Sequence, residues 1–194
     1  MTGIILCGGQ SSRMGTDKGL LHYEAKTWAQ TALEKMNVLN IPVKISVNLQ
    51  QQPEYEKVFA PQMLIADDAS LDLKGPLLGV LSAHLQNSAE DLFILACDMP
   101  LMEPGLLKEL FALYQQSKKY EVFIYTNNKE PEPLCGIYTS QALKKIVTML
   151  RQDKLVRHSM KFVLSQLVVC EIALQENQKT AFRNFNAHAE LNGL

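Results

Sequence analysis

Short apolar runs alternate with segments of helical period along almost the whole chain, and that alternation limits the fold more than any other feature. Residues 3–7, 42–47, 63–66, 92–97, 122–125, 134–138 and 167–172 are short and rich in branched or aromatic side chains, so they read as strands. Between them the apolar spacing is helical. Residues 27–39 carry Trp28, Ala32, Leu33, Met36 and Leu39, and Gly75-Pro76 opens a segment with Leu77, Leu78, Leu81 and Leu85. Residues 104–114 bring Leu106, Leu107, Leu110, Phe111 and Tyr114 together, and residues 140–150 read as a further helix. The runs 3–7 and 92–97 are apolar without alternation, as strands covered on both faces are. This order predicts an α/β fold of three layers, α/β/α, around a mostly parallel sheet. No repeat, low-complexity stretch or linker interrupts the 194 residues, so 1–194 is read as one domain.

Charge narrows the partners. Nineteen basic residues against twenty acidic ones give a net charge of −1, which argues against a nucleic-acid binder while leaving room for a single nucleotide. No run reaches the roughly 18–20 apolar residues needed to span a bilayer, so no membrane partner is expected. The opening MTGIILCGG has no basic region or small-residue cleavage site, so it is not read as a signal peptide. Cys7, Cys97, Cys135 and Cys170 fit no zinc spacing and lie in or beside apolar runs. They are expected to be buried thiols in a reducing, cytoplasmic setting.

Ligands of open α/β sheets bind beyond the carboxyl ends of the strands, where the strand order reverses. The residues after each strand are therefore the candidates. Gly8-Gly9-Gln10-Ser11-Ser12-Arg13-Met14-Gly15-Thr16-Asp17-Lys18 follows the first. Its glycines let backbone N–H groups close on an anion, and Arg13 and Lys18 supply positive charge. It matches neither G-x-x-x-x-G-K-[ST] nor G-x-G-x-x-G, and a glycine-rich turn with solvated charges is the plain alternative. Asp98 follows the most apolar strand, where a carboxylate suits Mg²⁺ or caps the next turn. Asp67 and Asp68 after the third strand, and Asn48 after the second, either read a base or sugar or shape turns. Asn184 and Asn186 add late amides, with Asn186 otherwise the N-cap of a last helix over 187–191. His22, His84, His158 and His188 have no metal spacing, and His84 among Leu81 and Leu85 reads as a core residue. No G-x-S-x-G elbow is present.

Taken in order, these segments resemble a known family. The run L-C-G-G-Q-S-S-R-M-G-T-D-K is similar to the opening signature of sugar-nucleotide-type nucleotidyltransferases, and its ending Gly15-Thr16-Asp17-Lys18-Gly19-Leu20-Leu21 resembles the molybdenum cofactor guanylyltransferases (MobA). The likeness continues through Gly75-Pro76-Leu77-Leu78-Gly79, Cys97-Asp98-Met99-Pro100, Glu132-Pro133-Leu134-Cys135-Gly136-Ile137-Tyr138 and Phe182-Arg183-Asn184-Phe185-Asn186. It implies a Rossmann-like sheet of the nucleotidyltransferase type. It also implies transfer of GMP from GTP to molybdopterin with release of pyrophosphate, with Mg²⁺ as cofactor and other molybdenum-cofactor synthesis proteins as possible partners. By resemblance Leu6, Cys7, Gly8 and Gly9 lie against the nucleotide, and Arg13 and Lys18 contact its phosphates. Asn48 and Asp68 contact the nucleoside, Asp68 being preferred to Asp67 by its spacing to Gly75-Pro76. Asp98 binds Mg²⁺, and Asn186 lies near the metal on the pterin side.

The chain departs from the family pattern in two places, with Cys7 for an alanine and Met99 for a threonine. Lys154, Arg157 and Lys161 are the basic residues available for the pterin phosphate. Nucleotidyl transfer asks mainly for positioning and charge compensation, and a phosphate oxygen is already ionised near neutrality, so no catalytic histidine is expected. Competing readings are the same chemistry with CTP or a sugar or alcohol phosphate, and a nucleotide-binding protein without turnover.

Overall fold

The structure is a computed structural model that describes residues 1–8, 17–23 and 25–185, with Tyr23 described by its backbone alone. Seven strands form one sheet: β1 (Thr2–Leu6), β4 (Val43–Val47), β5 (Leu64–Ala66), β6 (Leu92–Ala96), β7 (Val122–Asn127), β8 (Glu130–Tyr138) and β9 (Val169–Ala173). Their order is β5-β4-β1-β6-β8-β7-β9. All run parallel except β8, which is antiparallel to both β6 and β7. After β1 the chain moves outward to β4 and β5 on one side, then returns to β6 on the other. The order therefore reverses between β1 and β6, and a crevice opens at their carboxyl ends.

Helices cover both faces. On one, α1 (Trp28–Asn37) and α4 (Pro104–Gln116) pack on Ile5, Ile45, Val47, Phe93, Leu95, Phe123 and Tyr125. On the other, α3 (Pro76–Gln86), α5 (Ser140–Arg151) and α6 (Met160–Leu164) pack on Ile4, Leu6, Ile65, Leu92, Ile94, Val122 and Ile124. Consecutive side chains of a strand point to opposite faces, so Phe93 and Ile94 serve different cores although adjacent. The three-layer α/β/α arrangement with a mostly parallel sheet is the one the strand–helix alternation predicts.

Several elements have no strong periodic signal. A two-stranded hairpin, β2 (His22–Tyr23) and β3 (Lys26–Thr27), precedes α1. The short α2 (Gln52–Tyr55) follows β4, and a 3₁₀ segment, Glu176–Phe182, follows β9. The predicted strand 134–138 begins earlier, at Glu130, despite Pro131 and Pro133. The reason lies in the pairing. Residues 136–138 pair with both β6 and β7, whereas residues 130–132 pair with β7 alone, and the register shifts between Ile124 and Tyr125. The prolines thus sit where β8 has a ladder on one side, at the irregular stretch that tolerates them.

Local signals account for the helix starts. Thr27 accepts from Gln30 N at 3.2 Å while the Gln30 side chain accepts from Thr27 N at 2.8 Å, a reciprocal cap at the head of α1. Thr27→Ala is expected to cost about 1 kcal/mol and to lower Tm by about 2–4 °C, read by thermal unfolding. Gly75 heads α3 at φ +71, ψ −160, a region open to glycine and hardly to other residues, and Pro76 takes the first helical position.

Cys7, Cys97 and Cys135 are buried, Cys170 is half-buried, and all four are free thiols. His84 is buried in α3, and burial holds its pKa below the ordinary histidine value, as a core histidine requires. Met99, the departure beside Asp98, packs into the α1/α4 core. Among the described residues no helix is long and apolar enough to cross a membrane.

Candidate active site

The ends of β1 and β6 meet at the reversal of strand order. Cys97 N donates to Leu6 O at 3.1 Å, and Cys7 N donates to Ser46 O at 2.9 Å, so Leu6 and Cys7 are held in the sheet up to the point where Gly8 leaves it. Leu6 and Cys7 are buried, and Gly8 is half-buried at the crevice. Contact with the Cys7 thiol and burial push the Cys97 thiol well above its ordinary pKa, so it stays protonated.

Lys18 and Asp98 face one another across this crevice. Lys18 opens a short 3₁₀ turn, Lys18–Leu20, and its Nζ lies 3.5 Å from Asp98 Oδ2. Both side chains are half-buried. Burial pushes the Asp98 carboxyl above its ordinary pKa, and the Lys18 ammonium draws it part of the way back. The backbone carbonyl of Asp98 accepts from Phe185 N at 3.1 Å, which brings the chain just before residue 186 to the same place. Gly9, Arg13 and Asn186, three of the predicted site residues, lie outside the described residues, as does the predicted helix 187–191.

A cluster without a separate sequence signal holds Lys18 in position. Asp17 Oδ1 accepts from Gly19 N and from Tyr55 Oη, each at 2.9 Å. Its other oxygen accepts from Gln51 Nε2, which also donates to Cys7 O at 3.1 Å. Gln51 Oε1 in turn accepts from Asn48 N at 3.0 Å. One side chain thus ties the end of β1, the turn after β4 and the Lys18 turn together. Gly19 is packed so closely that a Cβ there would lie 2.1 Å from Tyr55 Oη and 3.2 Å from Cys7 Sγ. Asp17 belongs to the predicted segment, but Gln51 precedes α2 and Tyr55 ends it, and nothing in their spacing points to a partner 34 or 38 residues away.

Beside the crevice lies a cleft of about 500 Å³ lined by Gly8, Asn48, Asp67, Asp68, Gly75 and Leu78. Asn48 Oδ1 accepts from the backbone N–H groups of Gln50 and Gln51, both at 2.9 Å, so it shapes the turn as well as lining the cleft. Asp68 Oδ1 accepts from Ser70 N at 2.8 Å, an Asx-type turn that holds its carboxyl below the usual pKa. Asp67 differs: burial alone pushes it up to about 6. Lys161 pairs with Glu130 at the start of β8, on the same sheet edge as Asp98, and both side chains are exposed. Lys154 and Arg157 are exposed in the loop before α6.

The sequence was compared with known proteins. Residues 3–169 match the model of the MobA-like NTP transferase domain. A probable molybdenum cofactor guanylyltransferase of Flavobacterium johnsoniae is 29% identical over 194 residues, covering 100% of this chain and 96% of that protein. One of the same name from a Geobacillus species is 31% identical over 168 residues, covering 81% of this chain and 82% of that protein. The crystal structure of molybdopterin-guanine dinucleotide biosynthesis protein A from Archaeoglobus fulgidus superposes with a TM-score of 0.78 at 20% identity, covering 100% of this chain and 96% of that one, and at that identity the likeness is one of fold. A family match over most of the chain, joined to a crevice at the strand reversal that brings Lys18 and Asp98 together, leads to one conclusion: the chain belongs to the MobA-like NTP transferase domain family, a family of nucleotidyltransferases.

Proposed function

We propose that the protein transfers GMP from GTP to molybdopterin, forming the guanine dinucleotide cofactor and releasing pyrophosphate. The observation that carries the reading is the Lys18–Asp98 pair, 3.5 Å apart at the strand reversal and next to a cleft large enough for a nucleoside. The relatives named as guanylyltransferases support the choice of nucleotide and acceptor.

An oxygen of the acceptor's phosphate monoester attacks the α-phosphorus of GTP. A new P–O bond forms there, the bond from the α-phosphorus to the bridging oxygen breaks, and pyrophosphate leaves with the electron pair. No side chain needs to take a proton, because the attacking oxygen is ionised near neutrality. The demand is to hold two anions together and offset the charge that builds up. Lys18 would supply positive charge for this task, and its turn is held through Asp17 by Tyr55 and Gln51.

Asp98 suits Mg²⁺. Its carboxylate is a hard-oxygen donor at the crevice, and Mg²⁺ uses one or two carboxylates and completes its shell with water and substrate phosphates. When bound, Mg²⁺ would supply Lewis-acid polarisation and charge neutralisation at the phosphates. Asp98 would hold and orient it, while Lys18 adds a second positive charge.

Binding of GTP, CTP, ATP and UTP in the presence of Mg²⁺, followed by pyrophosphate release on addition of molybdopterin, tests the reading. GTP is expected to bind tightest, and release is expected to depend on the acceptor. A preference for CTP would keep the chemistry and change the product. GTP binding with no acceptor-dependent release would make the protein a nucleotide binder without turnover.

A further inference from the structure

We propose that Phe185 is a positioning residue for Asp98: its ring, packed against Trp28, fixes the peptide that follows Asp98 and so aims the carboxylate at the crevice. The inference rests on the role given to Asp98 above and names a residue that acts through it.

Asp98 stands where the sheet stops holding the chain. β6 ends at Ala96, and Cys97 N still donates to Leu6 O at 3.1 Å. One residue on, the Asp98 carbonyl accepts from Phe185 N at 3.1 Å. A peptide unit is planar, so tying this carbonyl fixes the plane of the Asp98–Met99 peptide and limits how far the Asp98 side chain can turn. On the far side of that plane the Met99 side chain is buried in the α1/α4 core.

Phe185 is itself well anchored. Phe185 and Trp28 are both 0% exposed and form a small core apart from the two on the sheet faces, with Leu21 and Leu101 packed against them. The Arg183 guanidinium lies over the Phe185 ring, 4.9 Å from its centroid. Leu101 belongs to the loop that Asp98 opens, and Leu21 closes the turn that carries Lys18. Trp28 N donates to Leu21 O at 2.9 Å, and Leu21 N donates to Lys18 O at 3.0 Å. This core therefore touches both sides of the Lys18–Asp98 pair, and Phe185 is the member that reaches Asp98 by a hydrogen bond.

The indole of Trp28 is kept there for its area. Its Nε1 is buried and has no acceptor among the described residues, which is costly for a donor. What the ring supplies is a broad apolar face for Phe185. Without the Phe185 ring, the N–H that holds the Asp98 carbonyl has no fixed place. A shift of about 1 Å in a group of this kind can cost about 100-fold in rate.

Two measurements test the proposal: GTP affinity with and without Mg²⁺, and pyrophosphate release on addition of molybdopterin. They are made on the wild type, Phe185→Ala, Phe185→Leu, Asp98→Ala and the double variant Phe185→Ala with Asp98→Ala. Phe185→Ala is expected to lower kcat about 10- to 100-fold. It should also reduce the gain in GTP affinity that Mg²⁺ brings, while leaving Mg²⁺-free GTP binding unchanged. A merely weakened fold would lower both affinities alike. Phe185→Leu keeps an apolar side chain in the core and should show the same pattern at smaller size, so it carries the test where Phe185→Ala does not fold. In the Asp98→Ala background the Phe185→Ala loss should disappear, because no carboxylate is left to aim. An equal fold-loss in both backgrounds, or a parallel loss of GTP binding with and without Mg²⁺, overturns the positioning role alone. A normal rate and a normal Mg²⁺ response in Asp98→Ala overturn the role of Asp98 and this inference together.

Discussion

Asp98→Ala is expected to lower guanylyl transfer about 10²–10³-fold, the usual loss when one group that stabilises developing charge is removed, with the fold intact. Lys18→Ala should cost a similar factor. The two groups face one another at 3.5 Å over the crevice, so their losses should not add. Without Asp98 the proposed anchor for Mg²⁺ would be gone, and Lys18 would lose its counter-charge. Without Lys18 the burial that already raises the Asp98 pKa is no longer offset, and the carboxylate becomes a poorer ligand. Pyrophosphate release by the two single variants and the double variant decides the matter. Near-normal turnover by either folded single variant would remove this pair from the chemistry.

The second large effect is structural in origin. Gly19→Ala should destabilise the protein by about 1–3 kcal/mol, as overpacking of a filled site does, and weaken GTP binding as well. The new methyl would stand 2.1 Å from Tyr55 Oη, so either the tyrosine leaves Asp17 or the turn carrying Lys18 shifts. Tyr55→Phe removes the clashing oxygen and one of the hydrogen bonds to Asp17. Adding it to Gly19→Ala should restore part of the stability, although Tyr55 Cζ, at 3.2 Å, keeps the site tight. Urea unfolding of the two single variants and the pair measures this. A Gly19→Ala protein as stable as the wild type would show that the Asp17 cluster yields without cost.

Much of this arrangement can be read along the chain because it is local. The unbroken apolar runs of β1 and β6 signal their burial on both faces, and the residues following them place Lys18 and Asp98 at the ligand edge. The N-cap of α1 and the glycine–proline start of α3 are equally local. What could not be read is pairing across distance. Asp17 lies in a recognisable segment, but its partners Gln51 and Tyr55 acquire a role only once α2 is folded against the end of β1. The burial of the Asp67 side chain between Gly8 and Gly79 is of the same kind, since it depends on strands and a helix remote in sequence. The reversal of β8 was also hidden, since a short apolar run carries no direction.

That reversal bears on how this scaffold can change its chemistry over time. Because β8 runs against its neighbours, its first residues arrive at the same edge as the ends of β1, β5 and β6. Asp67 at β5 and the start of β8 are four strand spacings apart, roughly 19 Å at about 4.8 Å each. Substitutions at that separation without shared partners act independently. One flank of the edge can therefore change its side chains without disturbing the other, with Asp98 between them.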